Sequence, residues 1–334
     1  MSATVEARGL VYSEASQSSH KSGSVHLLRH RLLSAFIIIG LSLCFVGLDA
    51  WFPVGGHGYW MAPLGVYLFF GSAMECTALL RKSQYGPIDR PALLGCGGII
   101  LAALVPVYWP LSGSKYPSDC LLTELGWPLA AAVLAIVGCF AWQLRNYQAG
   151  NRSFERAILS GWVSVYFGLC FAFWIALRLV GTSSWGLYLM VGIIVITKFS
   201  DSGAYFAGRF LGRTKLCPTV SPGKTYEGLF GGMVVATVVS WLYFSVGAPI
   251  AFNETHELEV HWLGIVGLGL LLTITGLFGD LLESIFKREV QAKDSGKLLP
   301  GLGGLWDVTD SLLPAGAVAY LIVVADWIHG PGQP

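Results

Sequence analysis

The chain has 334 residues, of which 54% are hydrophobic and only 12% charged, with a formal net charge of +1. A soluble domain carries about 25% charged residues, and a mean hydropathy of +0.61 leaves too little polar surface to cover soluble domains of this total length. Composition thus argues against a soluble enzyme, a nucleic-acid binder and a disordered protein, and for a chain whose solvent is largely lipid.

The first thirty residues are polar and rich in Ser, and read as a disordered tail. A cleavable signal peptide would place its apolar stretch earlier, whereas here the first apolar run starts near Leu32 and is long enough to span. Roughly 20 apolar residues of helix cross a bilayer core. Nine runs meet that length or approach it: Leu32 to Phe52, Tyr59 to Leu80, Pro91 to Leu111, Leu125 to Leu144, Ala157 to Val180, Ser184 to Phe199, Glu227 to Val246, Trp262 to Phe286 and Val308 to Ile328. The sixth is short at its inner end. The expectation is an all-α polytopic bundle of about nine transmembrane helices.

Placing the N-terminus in the cytoplasm puts all but Lys115 and Arg178 of the 21 lysines and arginines on the inner side. A wrong number of spans would scramble that alternation, so the positive-inside bias supports nine spans with the C-terminus outside. The seven cysteines are odd in number and form no C-x-x-C, so they imply neither a disulfide framework nor a zinc knuckle.

Chemistry concentrates in two inner segments, 198–232 and 279–311, read as cytoplasmic loops with the helix ends beside them. Asp280 and Glu283 lie three apart near the inner end of the eighth span, and Asp307 and Asp310 three apart at the start of the ninth. On a helix such spacing puts both side chains on one face. Carboxylates without His or Cys suit a hard cation, above all Mg²⁺. The plainer reading is N-capping for Asp307 and snorkelling for Glu283. Every histidine falls in the tail or on the outer side, which argues against a histidine-bound zinc or a Ser-His-Asp device here. Glu75 lies inside the second apolar run, an unusual place for a carboxylate; it reaches the site or bonds to neighbouring hydroxyls.

The first segment reads KFSDSGAYFAGRFLGRTKLCPTVSPGKTYEG. It is not a P-loop: Pro218 stands where that pattern needs Gly, and no strand precedes it. A Gly-rich basic segment fit for a polyphosphate remains. The second segment, KREVQAKDSGKLLPGLGGLWDVTD, joins four cations to a glycine turn that leads into Asp307 and Asp310. A turn of this kind opening a helix offers N–H groups to an anion.

The stretch from Ser284 through Lys287, Arg288, Lys293, Asp294, Pro300, Gly303, Gly304 and Asp307 to Asp310 resembles the signature of the phosphatidate cytidylyltransferases, or CDP-diacylglycerol synthases. Asp201 to Tyr205, Gly208, Gly212, Lys215, Leu216, Ser221 to Thr225 and Glu227-Gly228 are similar to the same family. The resemblance departs at Leu302, where the family has His, and at Val308, where it has Arg. Lys198, three residues before Asp201, is positioned to replace that missing cation.

The resemblance implies an integral membrane enzyme that joins CTP and phosphatidate into CDP-diacylglycerol and pyrophosphate. It implies Mg²⁺, as one or two ions, held by Asp280, Asp307, Asp310 and Asp201, with K⁺ assistance left open. Asp201 otherwise orients Lys198. Ser221, Lys224 and Thr225 are expected to bind the CTP phosphates, and Lys293 and Asp294 to position nucleotide or pyrophosphate. Lys224, Lys293, Asp294, Asp307 and Asp310 form the expected catalytic set, with Arg209, Lys287 and Arg288 as either lipid-phosphate contacts or plain inside-positive anchors. A homodimer packed through small-residue faces such as Gly231-Gly232, and a bacterial inner membrane with the site facing the cytoplasm, complete the expectation. The rival readings are a transferase for another lipid phosphate, a cation transporter and an inactive homologue.

Overall fold

The computed structural model describes residues 31–330 except 53, 55, 56, 118, 149, 253–261 and 329. The N-terminal tail and the acidic outer segment near residue 257 lie outside the described residues.

Nearly every described element is helical, because an apolar environment leaves a backbone no partner but itself. In chain order the helices are α1 (Arg31–Trp51), α2 (Met61–Arg81), α3 (Asp89–Ala103), α4 (Val105–Tyr108), α5 (Thr123–Arg145), α6 (Ser153–Leu179) and α7 (Ser183–Leu211). A small hairpin follows, β1 (Lys215–Cys217) and β2 (Ser221–Thr225). Then come α8 (Tyr226–Trp241), a π-helical turn (Leu242–Gly247), α9 (Ala248–Phe252), α10 (Trp262–Glu289), α11 (Leu305–Thr309) and α12 (Leu312–Val324).

Eight continuous helical stretches among the described residues are long and apolar enough to cross a membrane, and α3 with α4 and its 3₁₀ extension, bent by 44°, makes a ninth when the pair is taken as one span. Pro106 sits at the start of α4. Its missing N–H and its ring break the helical ladder there, which accounts for the bend. The expected all-α polytopic bundle of about nine spans is therefore the observed one.

Two features differ from the sequence expectation. First, α7 does not end near Phe199 but runs on to Leu211, so the segment read as a loop begins as helix. Its small residues let it pack against α8 at close range: a Cβ on Gly231 would run into Ala207, and one on Gly232 would touch Ala204 and Ser200. Those glycines thus serve packing within the chain. Second, the segment 212–225 is not irregular but an antiparallel hairpin, pairing Lys215 with Thr225 and Cys217 with Ser221.

The core lies where α6 is flanked by α2, α3 and α12, with α10 packed on α8 and α12. Trp306, Phe167 and Phe286 meet edge-on or tilted at its near end, seating α11 against α6 and α10. Helix α1 stands largely apart, with 11% of its apolar window buried.

Candidate active site

One end of the bundle collects side chains from four places in the chain. Asp280 and Glu283 come from α10, Asp310 follows α11, Lys224 comes from β2 and Lys198 from α7. One carboxylate oxygen from each of Asp280, Glu283 and Asp310 lies within 4.8 Å of the others. Asp310 reaches the two because α10 has glycine opposite it: a Cβ on Gly279 would run into the Asp310 carbonyl oxygen.

Glu283 is 1% exposed. Its Oε2 accepts from Lys287 Nζ at 2.9 Å, while Oε1 has no hydrogen-bond partner among the described residues. A buried acceptor without a partner costs about 1–3 kcal/mol, so it points to a ligand at this place. Three converging carboxylates with one such oxygen are a donor set that fits a hard divalent cation.

The structure divides the two aspartates of the last motif. Asp310 joins the trio, whereas Asp307 turns back on its own turn. Its Oδ2 accepts from the backbone N–H of Gly304 and Ser295 and from Ser295 Oγ, each at 2.8 Å, and its Oδ1 accepts from Lys287 at 2.8 Å. The reason is local. Asp307 stands three residues past Gly304 at the start of α11, where a carboxylate satisfies free N–H groups. Asp307 is thus linked to the trio through Lys287, and Asp201 through Ser311, whose Oγ donates to Asp201 Oδ2 at 3.0 Å and whose N–H donates to Asp310 Oδ1 at 2.6 Å.

The hairpin carries Lys224 to the trio. Lys224 Nζ lies 2.8 Å from Asp280 Oδ2, and Arg288 donates to the Val220 carbonyl at 3.1 Å, pinning the hairpin turn to α10. Thr225 is buried and caps α8, accepting from Gly228 N at 3.1 Å. Ser221 opens the same strand and is partly exposed. Lys293 and Asp294 are exposed on the segment after α10. Arg209 is exposed and donates to Tyr205 at 2.8 Å.

Glu75 does reach the site. Its Oε2 accepts from Trp306 N at 2.9 Å and lies 3.0 Å from Ser295 Oγ, whose one proton it shares with Asp307, so it clamps the 295–306 segment from α2. The turn itself uses positive φ at Gly301 (82°) and Gly303 (97°), a region that disfavours residues with a Cβ. Leu302 lies between them. Ser295 and Ser311 are the working residues the sequence did not single out, adjacency to Asp294 and Asp310 being their signal; Lys287, expected at a lipid phosphate, instead bridges Glu283 and Asp307.

His57 belongs to the other end of the bundle. Burial and the Arg178 guanidinium hold it below the usual imidazole range, with Asp49 opposing.

Comparison with known proteins gives the same reading. Residues 29–325 match the model of the cytidylyltransferase family. The phosphatidate cytidylyltransferase of Bacillus subtilis (strain 168) is 38% identical over 251 residues, covering 75% of this chain and 85% of that one. The phosphatidate cytidylyltransferase of Haemophilus influenzae is 40% identical over 130 residues, covering 39% of this chain and 43% of that one. An uncharacterized protein of Escherichia coli (strain K12), YnbB, is 36% identical over 167 residues, covering 50% and 53%. With a family match over almost its whole length and a relative aligned over most of both chains, this chain belongs to the cytidylyltransferase family.

Proposed function

We propose that this chain transfers the cytidylyl group of CTP to the phosphate of phosphatidate, giving CDP-diacylglycerol and pyrophosphate. The observation that carries the reading is the meeting of Asp280, Glu283 and Asp310 with Lys224 and Lys287 at one end of a membrane bundle. That end is where a water-soluble polyphosphate and a lipid headgroup can meet. The distribution of lysine and arginine supports a site facing the cytoplasm, and the bacterial relatives support a bacterial inner membrane.

In the reaction a phosphate oxygen of the lipid attacks the α-phosphorus of CTP, forming one P–O bond. The bond from that phosphorus to the bridging oxygen breaks, and pyrophosphate leaves with the electron pair. The nucleophile is already an anion, so no strong base is required. The barrier arises from bringing two polyanions together, and fixed cations lower it.

Asp280, Glu283 and Asp310 are the residues that would hold Mg²⁺, with Asp201 beside them for a further ion, whereas Asp307 is taken up by Lys287, Gly304 and Ser295. A divalent cation at such a site neutralises developing charge and aligns the reacting groups. Lys224, Ser221 and Thr225 face the nucleotide phosphates from the hairpin, and Lys293 and Asp294 position nucleotide or pyrophosphate from the neighbouring segment. Lys287 holds Glu283 and Asp307 in register.

The test is turnover by purified protein in detergent with phosphatidate, Mg²⁺ and CTP labelled in the cytosine. Label extracted into the organic phase, and lost with EDTA and in Asp310→Asn, is the expected result. No label from folded protein, with other lipid phosphates serving instead, would overturn the choice of lipid. No label with any of them would overturn the enzyme reading.

A further inference from the structure

Lys198 sits within α7, thirteen residues before its end, where an ionisable residue in an apolar helix demands a partner. It has three. Its Nζ donates to the Val308 carbonyl at 3.0 Å and to Ser311 Oγ at 2.9 Å, and lies 3.4 Å from Asp201 Oδ2. An exposed pair such as Lys198 and Asp201 alone contributes little. The other two acceptors are different: they belong to the junction of α11 and α12, one residue either side of the Thr309-Asp310 pair.

That junction is enclosed. Ser311 is 1% exposed and lies against Gly276 of α10, while the Asp310 carbonyl beside it lies against Gly279. Ser311 Oγ accepts from Lys198 and donates to Asp201, and its N–H donates to Asp310 Oδ1. The glycines of α10 set how near Asp310 comes to Asp280 and Glu283. Lys198 sets the junction from the opposite side, and brings one positive charge to a place where four carboxylates gather (Asp201, Asp280, Glu283 and Asp310).

We propose that Lys198 is a positioning residue for the reaction. Through Ser311 and the Val308 carbonyl it fixes the Asp310 carboxylate in the cation-holding trio, supplying from α7 a cation that the apolar Val308 side chain does not. The inference rests on the cytidylyltransferase reading for its turnover readout, but a second readout needs no turnover.

The experiment compares Lys198→Met, Lys198→Arg and Ser311→Ala with the unaltered protein. One readout is turnover against Mg²⁺ concentration. The other is the rise in melting temperature that Mg²⁺ alone produces in purified protein. Residues that orient a metal ligand are typically worth 10–100-fold in metal affinity or activity, so Lys198→Met is expected to raise the half-saturating Mg²⁺ by about tenfold or more in both readouts. KM for CTP, measured at saturating Mg²⁺, should stay within about twofold, whereas loss of a direct phosphate contact would move KM first. Lys198→Arg should recover most of the Mg²⁺ response, and Ser311→Ala should reproduce part of the defect in a protein that keeps the lysine. Unchanged Mg²⁺ dependence in both Lys198→Met and Ser311→Ala would overturn the proposal. So would a Lys198→Met defect confined to KM for CTP. If the unaltered protein shows the Mg²⁺-induced melting shift but no turnover, the family reaction fails while the melting series still decides the role of Lys198.

Discussion

Lys287 Nζ stands 2.9 Å from Glu283 Oε2 and 2.8 Å from Asp307 Oδ1, so a single ammonium joins the last turns of α10 to the start of α11. Both carboxylates are enclosed, and the lysine itself is largely buried. The 295–306 segment between the two helices has little regular structure of its own. It is held by side chains at its borders: Glu75 and Asp307 within, Arg31 and Ser34 on the outside. The latter donate to the carbonyls of Gly301 and Pro300, each at 2.9 Å.

Removing that lysine leaves two buried carboxylates facing each other. Breaking an enclosed pair from one side costs about 3–5 kcal/mol, mostly through the charge left behind. Lys287→Met should therefore lower the melting temperature of the detergent-solubilised protein markedly. Adding Glu283→Gln in the same chain should restore part of the loss, because one stranded charge is then gone. A double variant no more stable than Lys287→Met would show that the ion pair is not the source of the effect.

Glu283→Gln alone tests a different property. The amide keeps the volume and the oxygen that accepts from Lys287, yet removes a negative charge from the trio. Fewer anionic donors weaken a hard-cation site, so the half-saturating Mg²⁺ should rise by about tenfold or more while the protein stays folded. Turnover measured across a Mg²⁺ series checks this, and an unchanged Mg²⁺ requirement would remove Glu283 from the donor set.

Much of this arrangement was legible in the sequence, and the parts that were not share a physical reason. Span number followed from apolar length and charge alternation, both properties of local composition. The i, i+3 spacing of Asp280 and Glu283 survived because both lie in one continuous helix, α10. The same spacing did not bring Asp307 and Asp310 to one point, although the Asp310 N–H still donates to the Trp306 carbonyl in helical geometry, because Asp307 is engaged by the N–H groups of Gly304 and Ser295. Which carboxylate caps and which converges depends on tertiary approach, above all on Gly279. The extension of α7 to Leu211 was hidden for a related reason. Its polar, Gly-rich C-terminal half reads as loop in isolation and becomes helix by packing on α8.

Gly279 gives a prediction about that approach. A Cβ there would run into the Asp310 carbonyl, and overpacking of this kind typically costs about 1–3 kcal/mol. Gly279→Ala should lower stability and, by pushing the junction off α10, cost turnover out of proportion to that loss. Gly138 in α5 is the matched control, because nothing lies within 4 Å of a Cβ built on it. Gly138→Ala should be neutral or slightly stabilising, as alanine is favoured over glycine in a helix interior. Melting temperature and turnover per folded molecule, measured on both variants, check the contrast. Equal behaviour of the two would mean that α10 does not set the position of Asp310.

The last prediction concerns the far end of α1, about 30 Å along the helix from Arg31 at its rise per residue. Arg178 is 1% exposed; its Nη2 lies 2.6 Å from Asp49 Oδ2 and its Nε donates to the same oxygen at 2.7 Å, while Nη1 and Nη2 donate to the carbonyl and hydroxyl of Ser183 at 2.9 and 3.1 Å. Asp49 also accepts from Trp60 N at 3.1 Å. Little of the middle of α1 is buried, so this pair and the Arg31 and Ser34 contacts, together with the packing of Phe45 and Val46 on the core, seat the helix on the bundle. Arg178→Met should cost about 3–5 kcal/mol, because Asp49 is then a buried charge without its partner. Arg178→Met combined with Asp49→Leu should recover much of that stability, since two apolar side chains replace the pair in an apolar setting. Thermal unfolding of the single and double variants measures both numbers. A single variant as stable as the unaltered protein would mean that the ion pair does not hold α1, and that the contacts at Pro300 and Gly301 suffice.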